Sequence, residues 1–195
     1  QRTPTPILGC SLHYGALPAE ENTTTLFSSL FDDQSGLKRL MGNWNTSNGT
    51  LSNKPGQENR IAFGDTTWKN YEIRVSAELT QGTGYGIYFR ADANPNITGY
   101  VFQYDPGLGN KFVVRKVVNG AEQSPFQSVS MPAGFNIFNV SHDISVSVVD
   151  NRTTIKVDNN TVLDFTDDTF ASGSGGFRTW GQSLANFDNL TVIQK

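Results

Sequence analysis

"YEIRVSAEL", residues 71–79, decides the fold class. Tyr71, Ile73, Val75, Ala77 and Leu79 fall on one side of an extended chain, and Glu72, Arg74, Ser76 and Glu78 on the other. That is the period-two signature of a strand with one buried face. Working outward, "GIYFRAD" (86–92) predicts Ile87 and Phe89 inward and Tyr88 and Arg90 outward. Further short runs follow: "GYVFQYD" (99–105), "KFVVRKVV" (111–118), "HDISVSVV" (142–149), "TTIKVD" (153–158), "TVLDF" (161–165), "GGFRTW" (175–180) and "DNLTVIQ" (188–194). Turn signals separate them at Asn94-Pro95, Asp105-Pro106-Gly107, Asn119-Gly120, Asp150-Asn151 and Asn159-Asn160. No window holds a helical stripe. Many short strands at this spacing predict an all-β, two-sheet antiparallel sandwich of the jelly-roll kind over residues 26–195.

Residues 1–25 read differently. A proline-broken start precedes "ILGCSLHYGAL" (7–17), where Leu8, Cys10, Leu12 and Tyr14 alternate with small and polar residues. An acidic, Thr-rich connector follows. This predicts an extended arm carrying one strand, with Ile7, Leu8, Cys10, Leu12 and Tyr14 as its contact residues. A lone strand must satisfy its backbone groups on some sheet edge, its own or that of another copy.

Charge and composition exclude several classes. The net charge is −3 and no more than two basic residues are adjacent, which disfavours nucleic acid and anionic membrane as partners. No apolar run approaches the roughly 18 residues that span a bilayer. Cys10 is the only cysteine, so there is no internal disulfide, and its place on an apolar strand face predicts burial. Eight N-x-S/T sequons, at Asn22, Asn45, Asn48, Asn96, Asn139, Asn151, Asn159 and Asn189, point to a secreted or cell-surface glycoprotein. The start at Gln1-Arg2 reads as a processed terminus, although a trimmed boundary would look the same.

The order of the pieces carries a resemblance. "LFDDQSGLKRLMGNWNTSNGTLSN" (30–53), with Trp44, Gly49 and Leu51, resembles the opening of concanavalin A-like lectin/glucanase jelly rolls. "TTWKNYEIRVSAEL", "GYGIYFRAD" and "GYVFQYD" are similar to the middle of that superfamily, especially its 3-keto-disaccharide hydrolase-like and laminin G-like branches. The closing half, from "HDISVSVV" through "GFRTW" to "FDNLTV", resembles theirs as well, so the likeness spans about residue 26 to residue 193. It implies the jelly-roll fold. It does not imply one activity, because this fold hosts enzymes, lectins and structural domains.

Catalytic constellations fail on this reading. Glycosidases need two carboxylates about 5 to 10 Å apart. The E-x-D-x-x-E run of the laminarinase-type relatives is absent, and Glu72 and Glu78 lie roughly 20 Å apart along one strand. They read as a solvated face. His142 and Asp143 leave opposite faces of a strand and cannot form a base–orienter pair. Two histidines and one cysteine make no zinc site. "DNNTVLD" lacks the glycine of a calcium loop and reads as a hairpin turn. The resemblance allows a structural Ca²⁺ held by Asp32 or Asp33 with Asp188, but no cofactor is called for. The expectation is therefore a non-enzyme.

Two functions compete. The first is a secreted structural or adhesive building block that assembles with copies of itself, as a fibre or surface layer, through its N-terminal arm. The second is a carbohydrate-binding, lectin-like module whose partner is a polysaccharide. Its candidate residues are Tyr88, Arg90, Gln103, Arg115, Arg178 and Trp180, because aromatic planes stack on sugar rings while Arg and Gln bond hydroxyls. The resemblance places a ligand site on that face, at "GIYFR" and "GFRTW". A glycoside hydrolase-like enzyme is third, supported by the resemblance alone.

Overall fold

The computed structural model describes residues 23–195. The arm residues Ile7, Leu8, Cys10, Leu12 and Tyr14, and the sequon at Asn22, lie outside the described residues. The described chain is two antiparallel sheets packed face to face, with a single 3₁₀ turn at Pro106–Leu108 as its helical content.

The back sheet runs β14 (Asn160–Thr166), β13 (Arg152–Val157), β12 (Ser141–Val149), β6 (Tyr71–Gln81), β16 (Leu184–Gln194), β4 (Thr50–Asn53) and β3 (Trp44–Ser47). β1 (Thr25–Ser29) also pairs with β16. The front sheet runs β10 (Ala121–Glu122), β9 (Lys111–Val118), β8 (Gly99–Asp105), β7 (Tyr85–Ala91), β15 (Ser174–Trp180), β5 (Glu58–Phe63) and β2 (Leu37–Met41). β11 (Gln127–Ser130) joins it along β9.

The alternation of "YEIRVSAEL" is the device that builds the core. Tyr71, Ile73, Val75, Ala77 and Leu79 of β6 are all buried against the inward residues of the front sheet. Aromatic rings lock the two layers: Phe177 of β15 stacks on Phe187 of β16 with centroids 4.1 Å apart, and Tyr85 of β7 meets the same Phe187 edge-on at 5.5 Å. Such contacts add to the burial of large apolar surfaces.

Turn chemistry fixes the registers. The β9–β10 hairpin turns on Asn119-Gly120, both at positive φ, which sets Val117 opposite Glu122. The β13–β14 turn is shifted one residue from the expected Asn159-Asn160. Val157 pairs with Asn160, so Asp158 (φ 49°) and Asn159 (φ 64°) form the turn. Asp158 is held there by its carboxylate, which accepts the Asp143 amide at 3.0 Å and meets His142 Nδ1 at 2.7 Å.

Glu72 departs from the expected solvated face. It is buried, accepting from Arg74 Nε (2.9 Å), Ser145 Oγ (2.8 Å) and Lys195 Nζ (2.5 Å). Burial alone would raise its carboxyl, but the bonds from Arg74, Lys195 and Ser145 outweigh it and bring it down to about 2.

Candidate functional site

β15 sets the site. Phe177 and Gly175 face the core, so Arg178 and Trp180 share the outer face of the front sheet. In register, Arg178 lies opposite Arg60 of β5 on one side and Gly86 of β7 on the other. The glycine is required. A Cβ at Gly86 would meet Val101 Cγ2 at 2.8 Å and Arg178 Cγ at 3.0 Å, so its absence lets the arginine stem lie flat across the sheet.

The polar groups of this face form one continuous chain. Arg60 Nε donates to Glu58 Oε1 at 2.8 Å, and Arg178 grips the same carboxylate in bidentate fashion, Nε at 3.0 Å and Nη2 at 2.9 Å. Arg178 Nη1 donates to Glu122. Gln103 Nε2 donates to that carboxylate at 2.5 Å, and Arg115 Nε donates to Gln103 Oε1 at 2.8 Å. Arg60, Gln103 and Arg178 are all buried.

This chain reports the shape of the sheet. β15 and β10 are four strand spacings apart, roughly 19 Å in a flat sheet. That exceeds the combined reach of an arginine and a glutamate. Their contact therefore requires the front sheet to curl toward its outer face, with the β9–β10 hairpin closing over it. The β7–β8 loop covers the other end, where Ile97 packs with Tyr88, Ala91, Val101 and Val117 in a small second core.

Tyr88 stands in the middle of this concavity. Its side chain is fully buried, and its hydroxyl has no hydrogen-bond partner among the described residues. Burial raises its pKa, while the Arg178 and Arg60 cations pull the other way. A buried donor left unpaired costs about 1–3 kcal/mol.

Trp180 closes one end. Its half-buried indole takes the Arg178 guanidinium 5.0 Å from a ring centroid. Beside it lies an open depression of about 270 Å³ lined by Thr83, Asp105, Gly107, Leu108 and Trp180. Asp105 Oδ1 accepts the Leu108 amide at 2.9 Å, and burial raises its carboxyl above the usual range.

The structure thus brings together Tyr88, Gln103, Arg115, Arg178 and Trp180 and sets Arg90 apart. Arg90 has φ 47°, and the ladder to β15 skips a residue there, so Ala91 instead continues the outer face. The Arg90 guanidinium turns to the end of the sandwich and donates to the carbonyls of Lys69, Asp150 and Phe170. It ties three loops.

Glu58, Arg60, Glu122 and Asp105 were missed. A signal existed for one of them: the Asn119-Gly120 turn fixes Glu122 opposite Val117, on the face of Arg115. Also missed was the partner of buried His142, whose Nδ1 meets Asp158 and whose Nε2 meets the Asn136 carbonyl, both at 2.7 Å. Its ring stacks on Phe135, away from the concave face, and serves as a tie between loops. Asp33 and Asp188 bond the amides of Ser35 and Asn189, and no group of three metal-ligating side chains converges among the described residues.

The sequence of the sandwich matches a known family. The model of the 3-keto-alpha-glucoside-1,2-lyase-like domain aligns with residues 26–193. The chain belongs to this family. Three solved structures share the fold. Carbohydrate binding module CBM66 from Bacillus subtilis superposes with a TM-score of 0.72 at 20% identity, covering 82% of this chain and 96% of its own. The exoplasmic/lumenal domain of VIP36, solved with Ca²⁺ and Man3GlcNAc, gives 0.70 at 11% identity, with 89% and 90% covered. A chain from a study of endo-acting O-glycanases of the human gut microbiota gives 0.66 at 13%, with 88% and 100% covered. Among proteins of curated function, none matches the chain by sequence. Among the described residues no helix is long and apolar enough to cross a membrane.

Proposed function

We propose that this family member is a non-catalytic carbohydrate-binding module that works outside the cell or in a secretory lumen. The observation that carries the reading is the Arg178–Trp180 corner at the end of the polar network of the front face. A sugar ring needs a flat apolar surface edged by fixed donors and acceptors. Trp180 supplies the surface. Arg178, Gln103 and Asp105 supply the edge, already positioned by their bonds to Glu58, Glu122, Arg115 and the Leu108 amide and so costing little ordering on binding. The fold shared with CBM66 and with the VIP36 lumenal domain supports the same reading. Titration with neutral oligosaccharides, read by tryptophan fluorescence and calorimetry, tests it. Saturable binding lost in Trp180→Ala is expected; no response to any glycan on an array overturns it.

A catalytic reading has one observation in its favour. Glu58 and Glu122 flank a single guanidinium, which puts two carboxylates on the concave face within the separation a glycosidase uses. Turnover of a 3-keto-disaccharide that Glu58→Gln and Glu122→Gln both lose would establish it. Against it, both carboxylates are engaged by Arg178, which leaves neither free as a base.

Assembly through residues 7–17 is a separate proposal. β16 is paired on both sides, by β6 and by β1 with β4, so the back sheet holds no groove for a donated strand at that position. A donated strand would add to an outer edge such as β11, whose "QSVS" carries no charge. Deleting residues 1–17 should then abolish oligomers in light scattering; unchanged assembly would refute it.

A further inference from the structure

The sequons are sorted by sheet. Of the seven within the described residues, Asn45 and Asn48 sit in the β3–β4 hairpin, Asn139 just before β12, Asn151 in the β12–β13 turn, Asn159 in the β13–β14 turn and Asn189 within β16. All six belong to the back sheet. Asn96, in the β7–β8 loop, is the exception, and no front strand carries a sequon asparagine. All seven are exposed.

Their side chains are also uncommitted. Asn53, Asn59, Asn70, Asn160 and Asn186, none of which opens a sequon, each donate from the side-chain amide within the fold. Among the described residues none of the seven sequon amides does so. Asn159 (φ 64°) and Asn189 (φ 53°) are held in the left-handed conformation by a turn and a bulge, which lifts them out of the ladder. Both line the same open groove of about 540 Å³ on the outer face of the back sheet, with Arg74, Ser76, Asp143 and Lys156 as its polar floor.

We infer that the back sheet is a glycan-bearing face, with N-linked oligosaccharides on Asn159 and Asn189 lying in this groove and the concave front face left clear. The modification joins the asparagine amide nitrogen to C1 of the first sugar. It breaks the bond from C1 to phosphate in a lipid-pyrophosphate-linked oligosaccharide; the lipid pyrophosphate leaves and the amide gives up one proton. The inference is independent of which glycan the front face binds, or whether it binds one.

The test is secretion of the full chain from a eukaryotic cell, followed by site-resolved mass spectrometry after amidase removal of glycans in heavy-oxygen water. Occupancy at Asn159 and Asn189 is expected, with one glycan's mass lost in each of Asn159→Asp and Asn189→Asp. Aspartate tolerates the left-handed backbone, so both variants keep the fold, which circular dichroism checks. A folded secreted chain bare at both positions overturns the inference. So does occupancy confined to Asn96. Deglycosylation should leave any oligosaccharide affinity of the front face unchanged, which separates this result from the fate of the binding proposal.

Discussion

On the back sheet, polar side chains pair locally. Arg74 reaches Glu72 two residues away on its own strand, and Arg152 meets Asp164 on the next strand at the open edge. On the front sheet, Arg178 meets Glu122 from a strand four positions away, and the chain from Arg60 to Arg115 crosses the whole concave face. Local pairs on an exposed face stabilise little, because water screens them and long side chains lose entropy. A network spanning strands under partial burial fixes the curvature of the sheet and the positions of its donors. Apart from buried Glu72, the polar pairs of the first face lie largely in solvent. The second is a built surface.

The sharpest way to break this contrast is to remove one arginine from each face. Arg178→Ala leaves half-buried Glu58 with Arg60 alone and exposed Glu122 with Gln103 and Arg115, and losing these charge-assisted bonds should cost about 1.5–3 kcal/mol. Arg74→Ala, whose side chain is 54% exposed, should cost less than about 1 kcal/mol. Urea unfolding midpoints of the two variants measure the difference. Equal losses would show that the front network has no special standing.

Glu72 is the buried carboxylate of the back face, and it shares the acid limb with Asp167, where burial is outweighed by bonds from Lys116 and Tyr100. The folded pKa of Glu72 is depressed from 4.5 to about 2, so its contribution is complete above the unfolded value and is lost as pH falls through the folded one. Stability should therefore drop between about pH 4.5 and pH 2, by at most about 3 kcal/mol from this group. Glu72→Gln should flatten that acid limb in thermal melts. A limb of the same depth in the variant would assign it to other carboxylates.

Trp180→Ala separates stability from recognition on the front face. The indole is half-buried and covers Arg178 from one side, so its loss should cost about 1 kcal/mol of folding free energy. Oligosaccharide affinity should fall at least about tenfold, equivalent to about 1.4 kcal/mol. A variant with normal affinity would move the ligand away from this corner.

Strand alternation was enough to place Tyr88, Gln103, Arg115, Arg178 and Trp180 on outward positions, because each lies on a strand whose inner residues are large and apolar. It misplaced Arg90, since alternation assumes an unbroken ladder and the positive φ at that residue has no compositional mark. Glu58 and Arg60 escaped notice for another reason. β5 is buried on both faces from Asn59 to Phe63, so "ENRIAF" shows no period-two contrast. Glu122 sits on a strand of two residues, too short for any pattern. The curvature that unites these groups is a property of the whole sheet, and no single strand encodes it.

Tyr88→Phe gives the smallest and most discriminating effect. Every other polar group named in the front network has a partner, whereas the Tyr88 hydroxyl is buried without one. Deleting it removes a desolvated donor and keeps the ring that packs on Val101 and Ala91. The free protein should lose nothing and gain up to about 1 kcal/mol in unfolding free energy. If a ligand reaches the hydroxyl, affinity should fall severalfold in the same variant. A stabilised protein that binds less well would identify the hydroxyl as retained for recognition at the expense of stability. A destabilised one would show that the hydroxyl is hydrogen-bonded in the free protein and would remove it from the recognition surface.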